Sequence, residues 1–482
     1  SAVEGEAQAA QVERARRAQV TTPFDLVNGP LVRCHVLRLK GDEHLLLLTV
    51  HHVVADGWSC GILLRELGEL YAARQAGREP ALPPAQQLSE YIAFLAEPDQ
   101  RETRAEARDY WLKLYGGSLS RVEFPADHPR PKRRDYSARR LELPLDPEVV
   151  AGLRKAAREN GTTLFASLIG GFAAYLTRLT GVADNAIGFS AAGQPLLGGN
   201  SLVGHCVNFL PLRLSTDLDG GFDAHLRGIG ASVLDALEHQ NFDFVSFVQE
   251  IQPHRDADWA PLVSVGVNLD PSAKSMVFAD LEVEAGSVGR AYENLDIFLN
   301  FVETNADVAL QCTFNTALFD EETMRRRMDE YLRLLAVAAA DPTAPLRNLD
   351  AIGAEDRQRM LGEWNGATTA YPRDAGLADL FREIAQGHAD KTALRVVDKL
   401  TDAIPTRAVS YAELEQLSDA WAARLRQAGV RRGACVAVVL PRSLDLIVAL
   451  LAVLKAGAAY VPIAPSSPPA AIGRILEHAE PV

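Results

Sequence analysis

The sequence predicts an α/β fold built in two successive units, and two observations carry that prediction. Up to Ala340, short apolar runs of strand length recur between longer runs at helical spacing. After the break at Asp341-Pro342-Thr343-Ala344-Pro345, a fresh helix–strand alternation begins near Pro372. The apolar fraction of 48% is ample for real cores, and 482 residues suggest two to four domains or lobes.

Residues 8–19 read as a helix. Thr22-Pro23-Phe24-Asp25-Leu26 and Gly29-Pro30-Leu31 then turn the chain into strands over 32–39 and 44–50. The second strand is a continuous apolar run and is expected to be buried. Ser59 is placed to cap a helix whose Leu63, Leu64, Leu67, Leu70 and Tyr71 recur at helical spacing. A helical and irregular stretch runs to about Arg134, with Pro-rich breaks at 80–84 and 128–132. A strand at 139–145, helices at 147–160 and 164–180, and strands at 185–189, 207–214, 262–269, 296–302 and 308–314 follow. The helix at 319–340 has acidic residues in its first turn, where they oppose the helix dipole favourably. The second unit reads as strand 392–397, helix 411–428, strand 434–440, helix 444–455 and strand 458–463, the start of a parallel-sheet domain.

The formal net charge of −14 argues against a nucleic-acid partner, which would want a basic face. The longest apolar stretches, such as 444–452, are too short for a membrane span. Residues 1–20 lack the apolar centre of a secretory signal. Cys34, Cys60, Cys206, Cys312 and Cys435 are odd in number and have no metal-ligand spacing, so reduced thiols in a cytoplasm are expected.

Chemistry concentrates at His51-His52-Val53-Val54-Ala55-Asp56-Gly57, on the connection between the second strand and the following helix. A rigid scaffold can present a titratable ring from such a place. Gly57 allows backbone conformations denied to other residues.

With Trp58-Ser59 continuing it, this segment resembles the HHxxxDG motif of the condensation domains of nonribosomal peptide synthetases. Further stretches resemble that family in the expected order. They are Gly204-His205-Cys206-Val207-Asn208, His239-Gln240-Asn241-Phe242 (with Asn241 in place of an acid), Arg255-Asp256 followed by Pro261-Leu262 (with Trp259 in place of a second Arg), and Leu318-Phe319-Asp320. Val409-Ser410-Tyr411-Ala412-Glu413-Leu414 and the stretch from Leu454 to Ile463 resemble the first two core motifs of adenylation domains. No Gly-rich phosphate loop or later catalytic lysine follows them, so the chain is not expected to activate amino acids.

The resemblance implies two chloramphenicol-acetyltransferase-like lobes in a V arrangement, followed by a partial α/β adenylation segment. The expected boundaries are 1–138 for an N-lobe incomplete at its start, 139–345 for the C-lobe, 346–371 for a linker, and 372–482 for a truncated adenylation start. A fragment of a longer synthetase, engaged in secondary-metabolite or antibiotic biosynthesis, is therefore expected.

The implied reaction is amide-bond formation between an upstream carrier-bound acyl or peptidyl thioester and a downstream carrier-bound aminoacyl thioester. The expected partners are those two carrier domains and the adjoining adenylation domain. No intrinsic cofactor or metal is expected, the substrates riding on carrier phosphopantetheine. His52 is assigned as general base or as the hydrogen-bonding group that positions the amine, and Gly57 as a backbone donor to the oxyanion. His51 is assigned to packing or to orienting its neighbour. Asp56 is assigned to a structural ion pair with Arg255 rather than to a proton relay. Asn208 either lines the tunnel or makes a strand-end hydrogen bond.

The competing readings are epimerisation, another acyl transfer on the same fold, and a catalytically silent carrier-docking or gating module. Leu197-Gly198-Gly199-Asn200-Ser201-Leu202 mimics a phosphopantetheine attachment site, and Gly188-Phe189-Ser190-Ala191-Ala192-Gly193 a nucleophile elbow. Both are read as loops.

Overall fold

The computed structural model describes residues 2–39, 41–116, 123–198, 201–251, 258–270, 278–284, 286–303, 307–349, 352–367, 369–397 and 407–482, with side chains from residue 8 onward. The chain divides into two compact units, Ser1–Trp364 and Asn365–Val482.

The first unit opens with α1 (Ala2–Thr21) and an antiparallel hairpin of β1 (Val32–Arg38) and β2 (His44–Val50), in register from Val32↔Val50 to Arg38↔His44. Of β2 only Leu47 is buried, whereas Leu46 is 37% exposed. The expectation of a fully buried strand is corrected accordingly. Among the described residues β2 pairs only with β1, so it alternates between faces like a half-covered strand.

In α2 (Gly57–Gln75) the N-cap is Asp56, not Ser59. The Asp56 side chain accepts from the Ser59 backbone N–H, and the helix starts three residues earlier than expected. The inward face of α2 carries Ser59, Ile62, Gly68 and Ala73, while Leu67, Leu70 and Tyr71 are exposed. Hydrogen bonds between Ser59 and Gly204 decide which face turns in. Two further helices follow, α3 (Leu88–Leu95) and α4 (Pro98–Leu114). Trp111 of α4 is fully buried, stacks on Phe242 at 5.0 Å, and donates its indole N–H to His239 O at 2.9 Å.

The remainder of the unit is a six-stranded mixed sheet. Its chain order is β3 (Ala138–Pro144), α5 (Pro147–Glu159), α6 (Leu164–Thr180), β4 (Asp184–Ala192), β5 (Val207–Ser215), α7 (Phe222–Glu238), α8 (Phe244–Ile251), β6 (Val265–Asp270), β7 (Ile297–Glu303), β8 (Val308–Asn315) and α9 (Glu321–Ala340). The strand order is β3-β8-β7-β6-β4-β5, with β4, β6 and β7 mutually parallel and the outer pairs antiparallel.

α5 starts on Pro147, capped by Asp146, and buries Val150, Leu153, Ala156 and Ala157. α6 is buried along most of its length, which is why its sequence is apolar all round. α9 turns Met324, Met328, Tyr331, Leu334, Leu335 and Ala338 inward, a stripe at helical spacing. A Cβ on Gly171 would lie 2.4 Å from Leu335 Cδ2, so the close approach of α6 and α9 requires glycine there. The helix α7 was not assigned from sequence, although Leu226, Ile229, Val233 and Ala236 carry its period.

The opposite face of the sheet is polar in its middle. Glu142, Gln311, Asn300 and Asn268 lie in register across β3, β8, β7 and β6; Gln311 donates to Glu142, while Asn268 and Asn300 bond to each other and to Asp270. After α9, Leu346 and Leu349 are fully buried in the core of this sheet, before α10 (Ala354–Leu361).

The second unit contains α11 (Leu377–Gly387), β9 (Thr392–Val396), β10 (Arg407–Ser410), α12 (Tyr411–Gln427), β11 (Cys435–Val438), α13 (Leu444–Lys455), β12 (Ala459–Pro462) and α14 (Pro469–Ala479). β11 and β12 are parallel across α13, as the alternation predicts, but β9 and β10 form an antiparallel pair. Lys455, almost wholly buried, ties α13 to α12 through Glu415 (2.6 Å) and Asp419 (3.0 Å). Among the described residues, no helix is long and apolar enough to cross a membrane.

Replacing Trp111 by Ala removes a fully buried ring and its hydrogen bond, and is expected to lower unfolding free energy by about 3–5 kcal/mol. A urea midpoint unchanged from the parent would contradict this packing.

Candidate functional site

The turn from His51 to Asp56 carries the two imidazoles and ends on a buried carboxylate. His51 Nδ1 accepts from Val53 N at 3.1 Å, so its proton sits on Nε2. The His51 ring packs edge-on against Phe24 at 5.4 Å. It is a half-buried packing residue that shapes the turn.

Asp56 is 4% exposed and satisfied from both sides. Oδ1 accepts from Ser59 N (2.9 Å) and lies 2.8 Å from Ser59 Oγ; Oδ2 accepts from Gln194 Nε2 (2.7 Å) and Cys206 N (3.0 Å). Ser59 Oγ also lies 2.9 Å from Gly204 O and accepts from Gly204 N at 3.0 Å. Burial pushes the carboxyl up, but the donors from Ser59, Cys206 and Gln194 together outweigh it and hold Asp56 below the usual carboxylate range.

The predicted partner, Arg255, lies outside the described residues. The partners present are neutral donors on α2, the loop after β4, and the loop before β5. Ser59, Gln194, Gly204 and the Cys206 backbone were missed as site residues. Ser59, Gly204 and Cys206 lay in motifs that signalled them, whereas Gln194 did not.

This knot fixes His52 beside the loop before β5. His52 is exposed, and its Nδ1 lies 3.1 Å from His205 Nδ1 with the rings edge-on at 4.9 Å. Burial and the neighbouring His52 ring hold His205 below the ordinary histidine range, against smaller opposing influences of Asp56 and a hydrogen bond. His205 is thus a site residue that sequence reasoning did not single out. Gly57 is exposed and is the first residue of α2, so its N–H belongs to the set without intrahelical partners.

The loop that bears His205 is tightly seated. Gly193 N donates to Cys206 O at 3.0 Å, and a Cβ on Gly193 would lie 2.3 Å from Tyr91 Oη and 2.4 Å from Cys206 O. The Cys206 thiol is pushed up to about 11 by burial, with Asp56 adding to the effect, which leaves it protonated and unsuited to nucleophilic attack.

Asn208 uses both ends of its amide. Nδ2 donates to Gln240 O (2.6 Å) and Phe242 O (2.7 Å), and Oδ1 accepts from Phe209 N (3.0 Å). It pins the 239–242 segment to β5 and is not brought against His52 by any of these bonds. Within that segment His239 stacks on Tyr110 at 4.0 Å, and Asn241 donates to Gln100. Trp259 lies under Arg130, whose guanidinium is 3.8 Å from the ring centroid and pairs with buried Asp296 at 2.7 Å.

Ser201 is buried and lies 3.0 Å from Pro84 O, so the segment mimicking a phosphopantetheine site does not offer its hydroxyl. Ser190 sits within strand β4, which corrects its reading as a loop residue. Among the described residues, no cluster of three His, Cys, Asp or Glu side chains is placed to hold a metal ion.

A family model described as "Condensation domain" matches residues 1–361, and one described as "AMP-binding enzyme" matches residues 381–482. The chain is 34% identical over 469 residues to a linear gramicidin synthase of Brevibacillus parabrevis, covering 95% of this chain and 9% of that protein. The chain thus spans about a tenth of that relative's length. It is similar in fold to a four-domain nonribosomal peptide synthetase bound to AMP and glycine, with a TM-score of 0.65, 23% identity, and coverage of 98% of this chain and 36% of that one. It also resembles the first condensation domain of the CDA synthetase, with a TM-score of 0.59, 22% identity, and coverage of 72% and 75% respectively.

Asp56→Asn replaces an acceptor by an amide whose NH2 faces donors, and is expected to lower unfolding free energy by about 2 kcal/mol at neutral pH. Because the folded pKa of Asp56 is depressed, its contribution is present above about pH 4 and fades as pH falls through the folded value. Chemical denaturation of both proteins from neutral to acid pH checks this: the gap between them should shrink on acidification, and a pH-independent gap contradicts it.

Proposed function

The chain belongs to the condensation-domain family of nonribosomal peptide synthetases, continued by the start of an AMP-binding domain, and we propose that it joins two carrier-bound substrates through an amide bond. The donor is an acyl or peptidyl thioester on an upstream carrier, and the acceptor is the α-amine of an aminoacyl thioester on a downstream carrier. Residues 1–138 and 139–345 act as its lobes, 346–371 as the linker, and 372–482 as the adenylation start.

The amine nitrogen attacks the thioester carbonyl, the C–N bond forms, and the C–S bond breaks as the thiol leaves. A free α-amine has a pKa near 8, so a useful neutral fraction exists close to neutrality. The site has to orient two large substrates and remove the extra proton from the zwitterionic intermediate. Orientation is a large contribution, and an imidazole suits the proton transfer.

One observation carries this reading: exposed His52 stands on a turn whose closing residue, Asp56, is locked by donors from both parts of the unit. A ring so held is preorganised without being sealed from substrate. His52 takes the proton from the intermediate and returns it to the leaving thiolate. Gly57 offers its N–H, at the positive end of α2, to the developing oxyanion. His51, Asp56 and Asn208 shape the scaffold and take no part in proton transfer. The reaction needs no cofactor beyond the phosphopantetheine arms of the carriers.

Single-turnover amide formation from loaded carriers tests this. His52→Ala in a folded protein should slow it by at least about 10²-fold. Equal rates would remove His52 from the chemistry, and no product from the parent across several donors would favour a silent gating module.

A further inference from the structure

Two imidazole nitrogens 3.1 Å apart impose a condition on the pair. Two bare lone pairs repel, as do two N–H groups, so one Nδ1 carries hydrogen and the other accepts it. The geometry points to His205 as a positioning residue: it accepts a hydrogen bond from His52 Nδ1–H and holds His52 in the tautomer whose Nε2 lone pair faces the substrate amine. This rests on the role of His52 proposed above.

The surroundings of the two rings, together with the role proposed for His52, favour this direction of the bond. His205 is flanked by residues whose backbone is anchored: Gly204 N and O are held by Ser59, and Cys206 N is held by Asp56. The ring therefore projects from a rigid loop, edge-on to His52. The groups acting on it are His52 and Asp56, and the Asp56 carboxylate is already engaged by Ser59, Gln194 and Cys206. Partial desolvation and the adjacent His52 ring lower the pKa of His205, which favours the neutral form that an acceptor needs. The reverse arrangement would put the proton of His52 on Nε2 and leave it unable to accept another there.

The arrangement also favours the reaction's charged stage. When Nε2 takes the ammonium proton of the intermediate, His52 becomes cationic and its Nδ1–H bond to His205 becomes charge-assisted and stronger. A bond that strengthens as the intermediate forms lowers the barrier rather than only tightening the ground state. When the C–S bond breaks, the same Nε2 proton passes to the departing thiolate and restores the starting pair.

Two readouts test this on the full chain. In long-range 1H–15N spectra of histidine-labelled protein, the parent should show His52 protonated at Nδ1, and His205→Leu should move it towards the Nε2–H form. In single turnover, His205→Leu should lose about 10-fold, a fraction of what a general base supplies. His205→Asn, whose Oδ1 replaces the accepting nitrogen, should recover most of the rate. An unchanged His52 tautomer in His205→Leu overturns the inference, as does a parental rate in that variant where His52→Ala is slow. If His52→Ala itself keeps the parental rate, the catalytic reading falls instead, and the tautomer spectrum alone decides whether His205 sets the ring.

Discussion

The buried carboxylate of Asp56 is the constraint on which the site depends. An isolated ionised group at 4% exposure would be costly. Here donors come from three places in the chain: the first turn of α2, the loop after β4, and the loop before β5. Charge-assisted bonds of this kind are the stronger ones, and each also removes a freedom. The Ser59 bond sets where α2 begins, Gln194 ties the turn to the end of β4, and Cys206 N fixes the loop carrying His205. Removing the carboxylate would leave several buried donors unpaired at once.

That knot joins two dissimilar structures. On one side is a two-stranded hairpin with α1, α2 and α3, much of whose apolar surface is exposed, including Val36, Leu67 and Leu70, while α4 joins the core of the sheet. On the other is a six-stranded sheet backed by α5, α6, α7 and α9, with a continuous core. The rigid side supplies the reference frame. Trp111, stacked on Phe242 and bonded to His239, and Asn208, holding Gln240 and Phe242, secure the connection away from the imidazoles. The motif residues around 239–242 therefore act through packing, apart from the His52–His205 contact.

The second unit follows its own logic. Its cohesion comes from apolar packing of α12 and α13 against β11, and from Lys455, whose ammonium is shared between Glu415 and Asp419. Pairing of the cation with both carboxylates is what makes its burial tolerable.

Much of this architecture was legible in the sequence. Strand β2 and helices α6 and α13 fall on the residues that periodicity marks, because apolar spacing and caps such as Thr163 and Ser443 are local properties. The HHxxxDG spacing located the turn and named His52 and Asp56. The sequence by itself therefore determined the α/β class, the family resemblance and the position of the exposed His52 ring. Tertiary structure alone decided the partners. Asp56 meets Gln194 and Cys206 across 138 and 150 residues, and His52 meets His205 across 153. It also turned α2 to expose Leu67 and Leu70, against its apolar pattern. No local periodicity encodes which distant donors will satisfy a buried carboxylate or which ring will face another: those are set by how separately stable elements pack, and they exist only once the chain has folded.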